Sequence, residues 1–323
     1  MKPKKKFFLV TGSAGFIGFH LSKKLLEMGH CVFGIDNLDD YYDINIKKNR
    51  NKILKKFENY TFFKLDVCKI ETLSIKNIDV VIHLAAQPGI KLSEINRKKY
   101  FNNNILASFN LLEFMIKNKI KKIIYASSSS VYSGNKKNIN SETDTLNIEK
   151  NFYATTKKIN ETLISYYKKK GISSIGLRYF TVFGPYGRPD MLMSKIMFAY
   201  KNNHKLNLYN KGNNKRDFTY IDDAIFSTYK IILKLIRDER QIQEIFNIGF
   251  GKPLKVNKII YLFEKNLDYK FRKNLLSSNE YENLTSNSST IKYEKSFGFF
   301  EPNHIEFGIK EYINWFKQYY KIN

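Results

Sequence analysis

Residues 7–36 read FFLVTGSAGFIGFHLSKKLLEMGHCVFGID, and this stretch decides the fold. A short apolar run, Phe7–Thr11, leads into three glycines, an amphipathic segment over Phe16–Met28 and a second apolar run from Cys31. This order predicts a strand, a tight turn, a helix and a parallel second strand. Glycines at such a turn let a diphosphate approach the backbone at the helix N-terminus. The stretch therefore predicts a dinucleotide site.

The glycine spacing is G-x-x-G-x-x-G rather than G-x-G-x-x-G. Gly12 is expected to form the tight turn, Gly15 to admit the diphosphate, and Gly18 to let the helix pack on the strand. The loop and the first helical turn are expected to line the same site with Ala14, Phe16 and Ile17.

Acidic residues end the second and third predicted strands. Asp36 lies 18 residues after Gly18, where a carboxylate hydrogen-bonds the adenosine ribose and repels a 2′-phosphate, so NAD is favoured over NADP. Asp66 follows the run Thr61–Leu65 and is expected to reach the adenine. Their neighbours Asn37 and Val67 are included in the predicted cofactor site. An ordinary turn role is the competing interpretation for either aspartate.

Strand and helix patterns alternate through the first half of the chain. Further strands are predicted at Val80–Leu84, Lys122–Ala126 and Ser174–Arg178, and helices near Asn102–Asn118 and Tyr153–Lys170. The expected fold class is α/β, a Rossmann-type doubly wound parallel sheet with a smaller, mixed C-terminal substrate-binding part. Residues 1–180 are expected to bind the cofactor and 181–323 mainly the substrate, with a discontinuous boundary.

The composition of the 323 residues narrows the class of protein. Hydrophobic residues make up 43%, which excludes disordered and fibrous classes. No apolar run reaches the roughly 18 residues of a membrane-spanning helix. The two cysteines lack metal-ligand spacing, so no metal site is expected. They are also too few for a disulfide framework, so a cytoplasmic location is expected. The net charge of +25 comes from lysines scattered along the chain, so neither nucleic-acid nor membrane partners are expected.

An acid–base site is predicted from two separate patterns. Tyr153 and Lys157 are four residues apart in a predicted helix and share a face. A lysine charge beside the phenol lowers its pKa from about 10, so the tyrosine can act as a general base. Ser127–Ser130 follow a predicted strand, at the sheet edge where α/β ligands bind.

Six segments together resemble the extended short-chain dehydrogenase/reductases, in particular the nucleotide-sugar 4-epimerases and most closely their UDP-glucuronate branch. The resemblance covers nearly the whole chain. The segments are VTGSAGFIGFHLSKKLLEMGHCVFGIDNLDDYY (Val10–Tyr42), HLAAQPGIKLS (His83–Ser93), YASSSSVYS (Tyr125–Ser133), YATTKKINE (Tyr153–Glu161), LRYFTVFGPYGRPDM (Leu177–Met191) and RDFTYIDD (Arg216–Asp223).

The resemblance implies a role for each matching position. The implied catalytic residues are Ser128, Tyr153 and Lys157. Further NAD-binding positions are implied at Leu84, Ala85, Ala86, Asn104, Tyr153 and Tyr179, and Lys157 is implied to bind the nicotinamide ribose. The implied UDP-sugar ligands are Lys91, Ser128, Ser129, Tyr153, Thr181, Arg188 and Arg216, of which Thr181 and Arg188 grip a glucuronate carboxylate. A homodimer through the helices near Asn102–Asn118 and Tyr153–Lys170 is also implied.

The implied reaction is a redox epimerisation of UDP-glucuronate to UDP-galacturonate for surface polysaccharide. Tyr153 takes the proton of the 4-hydroxyl while the C4 hydride passes to tightly bound NAD, and the 4-keto sugar turns before the hydride returns. Related decarboxylases and dehydratases carry a carboxylate before their Val-Tyr-Gly segment. Ser127–Ser130 contain none, so the carboxylate of the sugar is expected to be retained.

Some positions depart from the family pattern, and three alternatives stay open. Lys91 stands where arginine is usual, and Asn279–Glu282 replace a Pro-Gly-Asp segment near which no arginine offers a second diphosphate ligand. The main alternative is a 4-epimerase of a neutral or N-acetylated UDP-hexose. A nucleotide-binding relative without turnover and a basic nucleic-acid binder are the others.

Overall fold

A computed structural model describes residues 4–135, 137–147, 150–277 and 284–322. The chain divides into two compact units, each made of separate segments. Unit 1 comprises Met1–Gly134, Leu146–Arg178 and Ile225–Phe246, and unit 2 comprises Asn135–Thr145, Tyr179–Ala224 and Asn247–Asn323. The assignment of cofactor and substrate to separate parts of the chain stays a prediction.

Unit 1 is built on a seven-stranded sheet. Its strands are β1 (Phe7–Thr11), β2 (Cys31–Asp36), β3 (Tyr60–Lys64), β4 (Val80–His83), β5 (Lys122–Ser128), β6 (Ser173–Tyr179) and β11 (Gln243–Ile248). They lie in the order β3-β2-β1-β4-β5-β6-β11, and β1 pairs in parallel with β2 and β4, β2 with β3, and β4 with β5. This is the strand order of a doubly wound Rossmann sheet with one added strand, so the predicted fold class is confirmed.

The helices of unit 1 cover this sheet. They are α1 (Phe16–Glu27), α2 (Ile44–Leu54), α3 (Ile90–Ile95), α4 (Arg97–Tyr100), α5 (Ala107–Lys117), α6 (Phe152–Tyr166) and most of α8 (Ile221–Arg237). Every residue of β4 and β6 is buried, as expected for strands with helices on both faces. One core cluster joins Leu9, Val81 and Ile123 of the sheet to Leu111 and Met115 of α5.

Two predicted helices change geometry at one end. The predicted helix Asn102–Asn118 begins as a π-helical turn, Phe101–Leu106, before α5 starts. The predicted helix Tyr153–Lys170 ends as a 3₁₀ turn, Tyr167–Lys170, after α6. A left-handed glycine, Gly171, then ends this turn.

Unit 2 consists of short strand pairs and helices. Its strands are β7 (Thr181–Phe183), β8 (Leu206–Tyr209), β9 (Lys215–Arg216), β10 (Phe218–Tyr220), β12 (Leu254–Lys255) and β13 (Lys273–Leu276), and its helices are α7 (Leu192–Lys201), α9 (Val256–Leu267), α10 (Ile291–Phe297) and α11 (Ile305–Tyr320). The parallel pairs are β7 with β10 and β8 with β13, and β9 pairs antiparallel with β12. The altered segment Asn279–Glu282 falls within residues 278–283, which lie outside the described residues.

Candidate active site

The segment between β1 and α1 has no room for a side chain at Gly12 or Gly18. Gly12 has φ +72°, and a Cβ there would lie 2.8 Å from the backbone nitrogen of Ala85. A Cβ on Gly18 would lie 2.0 Å from the carbonyl oxygen of Gly12. The glycines therefore leave an open backbone cradle at the N-terminus of α1, which fits the diphosphate of a dinucleotide.

Asp36 ends β2 beside this cradle. Its carboxylate accepts the N–H of Ala14 at 3.1 Å and the N–H of Leu38 at 2.8 Å. Burial raises the pKa of the Asp36 carboxyl, and the Lys47 charge and the two N–H donors oppose that rise. An acidic group thus touches the glycine loop directly, which fits the predicted ribose contact.

Asp66 is linked to the end of β2 through a side-chain hydrogen bond. Its carboxylate accepts the side-chain amide of Asn37 at 3.1 Å and the N–H of Cys68 at 2.8 Å. The second bond caps the 3₁₀ turn Val67–Thr72, and the Val67 side chain packs in the core. Adenine contacts by these residues stay a prediction.

The loop after β4 lies against β1 at the point where the strand order reverses. The N–H groups of Leu84 and Ala85 donate to the carbonyl and hydroxyl oxygens of Thr11, each at 3.2 Å. That hydroxyl also contacts the ring of His83 at 2.8 Å. Ligands of doubly wound sheets bind at this reversal, so the predicted segment Leu84–Ala86 is next to the glycine cradle.

Asn104 braces the same loop. Its side-chain oxygen accepts the N–H of Gln87 at 2.7 Å, and its amide donates to the Gln87 carbonyl at 3.2 Å and to the hydroxyl of Thr156 at 2.9 Å. The residue is fully buried, and both amide hydrogens are engaged by protein atoms. This geometry supports a positioning role, and a direct contact with the cofactor stays a prediction.

Ser128 is the last residue of β5. Its hydroxyl accepts the N–H of Ser130 at 3.1 Å and so caps the 3₁₀ turn Ser129–Tyr132. Helix α6 packs against both β5 and this turn. Its first turn is fixed by Asn151, whose side chain accepts the N–H of Ala154 at 2.9 Å.

Tyr153 and Lys157 lie on α6 with the predicted spacing. The Lys157 amine donates to the carbonyl oxygen of Ala126 at 2.9 Å and lies 5.9 Å from the centre of the Tyr153 ring. Only 3% of Lys157 is exposed, and burial lowers the pKa of its amine to about 8, while the Glu161 charge acts in the opposite direction. At neutral pH the amine is therefore still mostly charged and can stabilise a tyrosinate at Tyr153.

Three of the seven predicted substrate residues, Thr181, Arg188 and Arg216, lie in unit 2. The N–H of Thr181 donates to the carbonyl of Asp217 at 3.0 Å, and Tyr179 is buried. The Arg188 guanidinium donates through two nitrogens to the carboxylate of Asp190, at 3.0 and 2.5 Å. Arg216 donates to the backbone carbonyl of Lys215 at 3.0 Å. In unit 1, Lys91 is exposed on α3.

The sequence did not single out Glu161 and Arg178, two buried charged residues close to Ser128 and Lys157. Glu161 accepts the hydroxyl of Ser127 at 2.5 Å and two nitrogens of Arg178 at 2.9 and 2.7 Å. Glu161 follows Lys157 by one more helical repeat of four residues, and this spacing is the signal that identifies it. Nothing in the local sequence identifies its partner on β6.

The described part of the chain has neither a metal-binding cluster nor a membrane-spanning helix. It contains no group of three or more His, Cys, Asp or Glu residues placed to hold a metal ion. None of its helices is long and apolar enough to cross a membrane.

A Rossmann sheet that carries both a glycine cradle and a tyrosine–lysine helix defines the extended short-chain dehydrogenase/reductases. Residues 8–249 match the NAD dependent epimerase/dehydratase family, and the chain belongs to that family. Its cofactor is NAD, which the glycine cradle and Asp36 fit.

Three similar proteins each cover 97% of this chain. An uncharacterised protein of Methanocaldococcus jannaschii is 43% identical over 320 residues, 97% of both chains. The UDP-glucuronate 4-epimerase of Thermodesulfobacterium geofontis is 35% identical and covers 97% of this chain and 96% of its own. The structure of the UDP-glucuronic acid 4-epimerase of Bacillus cereus, in complex with UDP-glucuronic acid and NAD, has a TM-score of 0.88 at 33% identity and covers 97% of this chain and 100% of its own.

Proposed function

We propose that this NAD-dependent UDP-sugar 4-epimerase interconverts UDP-glucuronate and UDP-galacturonate. The observation that carries the chemistry is the buried, charged amine of Lys157, 5.9 Å from the ring of Tyr153 and tied to β5 two residues before Ser128. The sugar specificity is supported by the two relatives named for UDP-glucuronate and by Thr181 and Arg188 at the positions implied to hold its carboxylate.

Side chains of the protein remove and return the proton of the 4-hydroxyl group. Tyrosinate at Tyr153 accepts this proton, the Ser128 hydroxyl hydrogen-bonds the same oxygen, and the Lys157 charge stabilises the phenolate. Bound NAD would accept the hydride from C4 of the sugar and later donate it back. Loss of the hydroxyl proton and of the C4 hydride gives a 4-keto sugar. When the hydride returns to the opposite face of C4 and the proton to the oxygen, C4 is inverted with no net oxidation.

Retention of the sugar carboxylate follows from the environment of the serine run. A 4-keto uronic acid is a β-keto acid and loses CO₂ readily when a proton donor assists. Ser127–Ser130 carry no carboxyl group, and Glu161, which contacts Ser127, has both oxygens held by the Arg178 guanidinium. Both oxygens of this carboxylate are thus engaged as hydrogen-bond acceptors within the protein, and this arrangement favours epimerisation over decarboxylation.

A neutral or N-acetylated UDP-hexose is the second candidate substrate. The observation that favours it is the two-bond ion pair between Arg188 and Asp190, which neutralises the guanidinium that would hold the glucuronate carboxylate. On the UDP-glucuronate proposal, the carboxylate of the sugar replaces that of Asp190.

A competition assay separates the two candidates. The enzyme is given equal concentrations of UDP-glucuronate and UDP-glucose, and both 4-epimers are quantified by anion-exchange chromatography. We expect UDP-galacturonate to form with a kcat/KM at least ~10-fold above that for UDP-galactose, since one charged hydrogen-bonded pair contributes about 1.5–3 kcal/mol. Preferential formation of UDP-galactose would establish the alternative.

We also propose a homodimer that forms through α5 and α6. These helices contact each other and expose large apolar side chains, with Phe109 43%, Ile116 37% and Ile159 38% accessible. Sedimentation of the wild-type protein and of Phe109→Lys tests this arrangement, with a dimer and a monomer expected respectively. A cytoplasmic location and a role in surface polysaccharide synthesis remain predictions from the cysteine content and the proposed product.

A further inference from the structure

Two successive residues of β5 are bonded to two successive turns of α6. The carbonyl oxygen of Ala126 accepts the Lys157 amine at 2.9 Å, and the hydroxyl of Ser127 donates to the Glu161 carboxylate at 2.5 Å. The next residue along the strand is Ser128. The end of β5 is therefore held at two points immediately before the catalytic serine.

The Glu161 carboxylate is in turn held by the neighbouring strand. Arg178 of β6 donates from Nε and Nη2 to the two carboxylate oxygens at 2.9 and 2.7 Å, and side-chain exposure is only 4% for Arg178 and 8% for Glu161. A bidentate contact of this kind fixes the relative orientation of the two groups as well as their distance.

The remaining guanidinium nitrogen reaches the other side of Ser128. Nη1 of Arg178 donates to the hydroxyl of Tyr132 at 2.7 Å, and the guanidinium lies 4.8 Å from the centre of that ring. Tyr132 is the last residue of the 3₁₀ turn that the Ser128 hydroxyl caps. The ion pair thus contacts Ser127 on one side of Ser128 and Tyr132 on the other.

Stability alone does not account for such a pair. Replacing a buried ion pair with well-packed apolar residues of similar volume is often neutral or stabilising, because both charges lose their hydration when buried. A fold that needed only stability at this position would be served equally well by leucine and methionine. The pair instead connects α6, which carries Tyr153 and Lys157, to both flanks of Ser128.

We propose that the Glu161–Arg178 ion pair is the positioning device of the active site and sets Ser128 relative to Tyr153 and Lys157. The inference rests on the proposed epimerase function and adds two positioning residues to it. Glu161 also places a negative charge next to Lys157, which works against the effect of burial on the pKa of that amine.

The decisive variant is the double replacement Glu161→Leu with Arg178→Met, which removes the pair without leaving a lone buried charge. We expect the melting temperature to stay within a few degrees of wild type, kcat to fall ~10²-fold and KM for the UDP-sugar to change less than ~3-fold. A displacement of about 1 Å in an active site produces a loss of this size. A folded double variant with a kcat within ~3-fold of wild type would overturn the proposal.

A second readout does not depend on turnover. The titratable groups around the Lys157 amine are Tyr153 and Glu161 on α6 and His83 on β4, and Arg178 on β6 adds a charge through Glu161. Glu161→Gln removes the negative charge and leaves that of Arg178 uncompensated, and both changes favour the neutral amine. Lysine NMR titration, with the Lys157 signal assigned from Lys157→Arg, should show its midpoint about one pH unit or more lower than in wild type.

The matched control is Glu244→Gln, which breaks the half-buried pair between Glu244 and Lys234 in the same unit. This control should change neither kcat nor the Lys157 midpoint, and the same shift in both variants would contradict a local effect. If wild type epimerises a different UDP-sugar, the proposed substrate fails and the kcat comparison is made on that sugar. If it epimerises none, the proposed function fails and an unchanged Lys157 midpoint in Glu161→Gln would separately reject the positioning role.

Discussion

Replacing Lys157 with methionine should slow the enzyme by raising the pKa of Tyr153. The Lys157 amine lies 5.9 Å from the centre of the Tyr153 ring and is almost fully buried. Taking that distance as the charge separation, the attraction between the ammonium and a phenolate is ~3 kcal/mol at an effective dielectric constant of ~20. This energy corresponds to ~2 pKa units, so the tyrosinate population near pH 7 should fall ~100-fold.

The assay is kcat for UDP-sugar epimerisation measured from pH 6 to 10 under saturating substrate. We expect the rising limb of the log kcat profile for Lys157→Met to be displaced ~2 units upward from wild type, with part of the lost activity regained at high pH. The control is Lys158→Met on the same helix, whose amine bonds the backbone carbonyls of Leu146 and Asn147. This control should keep kcat within about twofold. A Lys157→Met enzyme with wild-type kcat at pH 7, or with an undisplaced limb, would refute the electrostatic reasoning.

Three further predictions follow from single residues. Burial lowers the pKa of His83 to about 3, so the unfolded state binds more protons than the folded state as the pH falls through 6.5. About 2 kcal/mol of stability should therefore be lost on going from pH 7 to pH 5. Chemical denaturation at both pH values should show a smaller loss of unfolding free energy for His83→Asn than for wild type. The control is His304→Asn at an exposed position, which should lose as much as wild type. Arg188→Lys, which keeps the charge but not the two-bond geometry, should raise KM for UDP-glucuronate ~10-fold and leave KM for UDP-glucose unchanged; equal effects on both sugars would exclude a carboxylate contact. Gly18→Ala places a Cβ 2.0 Å from the carbonyl oxygen of Gly12, so the purified variant should retain less than about half as much NAD as wild type. Bound NAD is measured by absorbance and mass spectrometry, and full retention would contradict the cradle geometry.

Local patterns predicted much of unit 1. The periodicity of residues 7–36 placed β1, α1 and β2 to within one residue at each end, because a buried strand and an amphipathic helix are defined by neighbouring side chains. The Tyr153–Lys157 pair was also found from spacing on one helix. The π-helical turn Phe101–Leu106 was not predicted, because side-chain spacing in one short turn does not show which backbone carbonyl each N–H bonds.

Contacts between distant parts of the chain could not be read in this way. Glu161 and Arg178 lie on a helix and a strand whose pairing depends on the order of strands in the sheet. The sequence likewise presents Asn104 as a family position, whereas its bonds to Gln87 and Thr156 show how it supports the loop after β4. Such roles depend on tertiary packing rather than on spacing.

On the proposed mechanism, Tyr153 and retained NAD invert C4 of UDP-glucuronate by removing and returning the same hydride. The most direct measurement is proton NMR of the purified enzyme with UDP-glucuronate deuterated at C4, without added NAD or reductant. We predict UDP-galacturonate that keeps the deuterium at C4, at constant total nucleotide sugar, and no product with Tyr153→Phe. Exchange of the deuterium with water would contradict the hydride return, and accumulation of a pentose nucleotide would contradict retention of the sugar carboxylate.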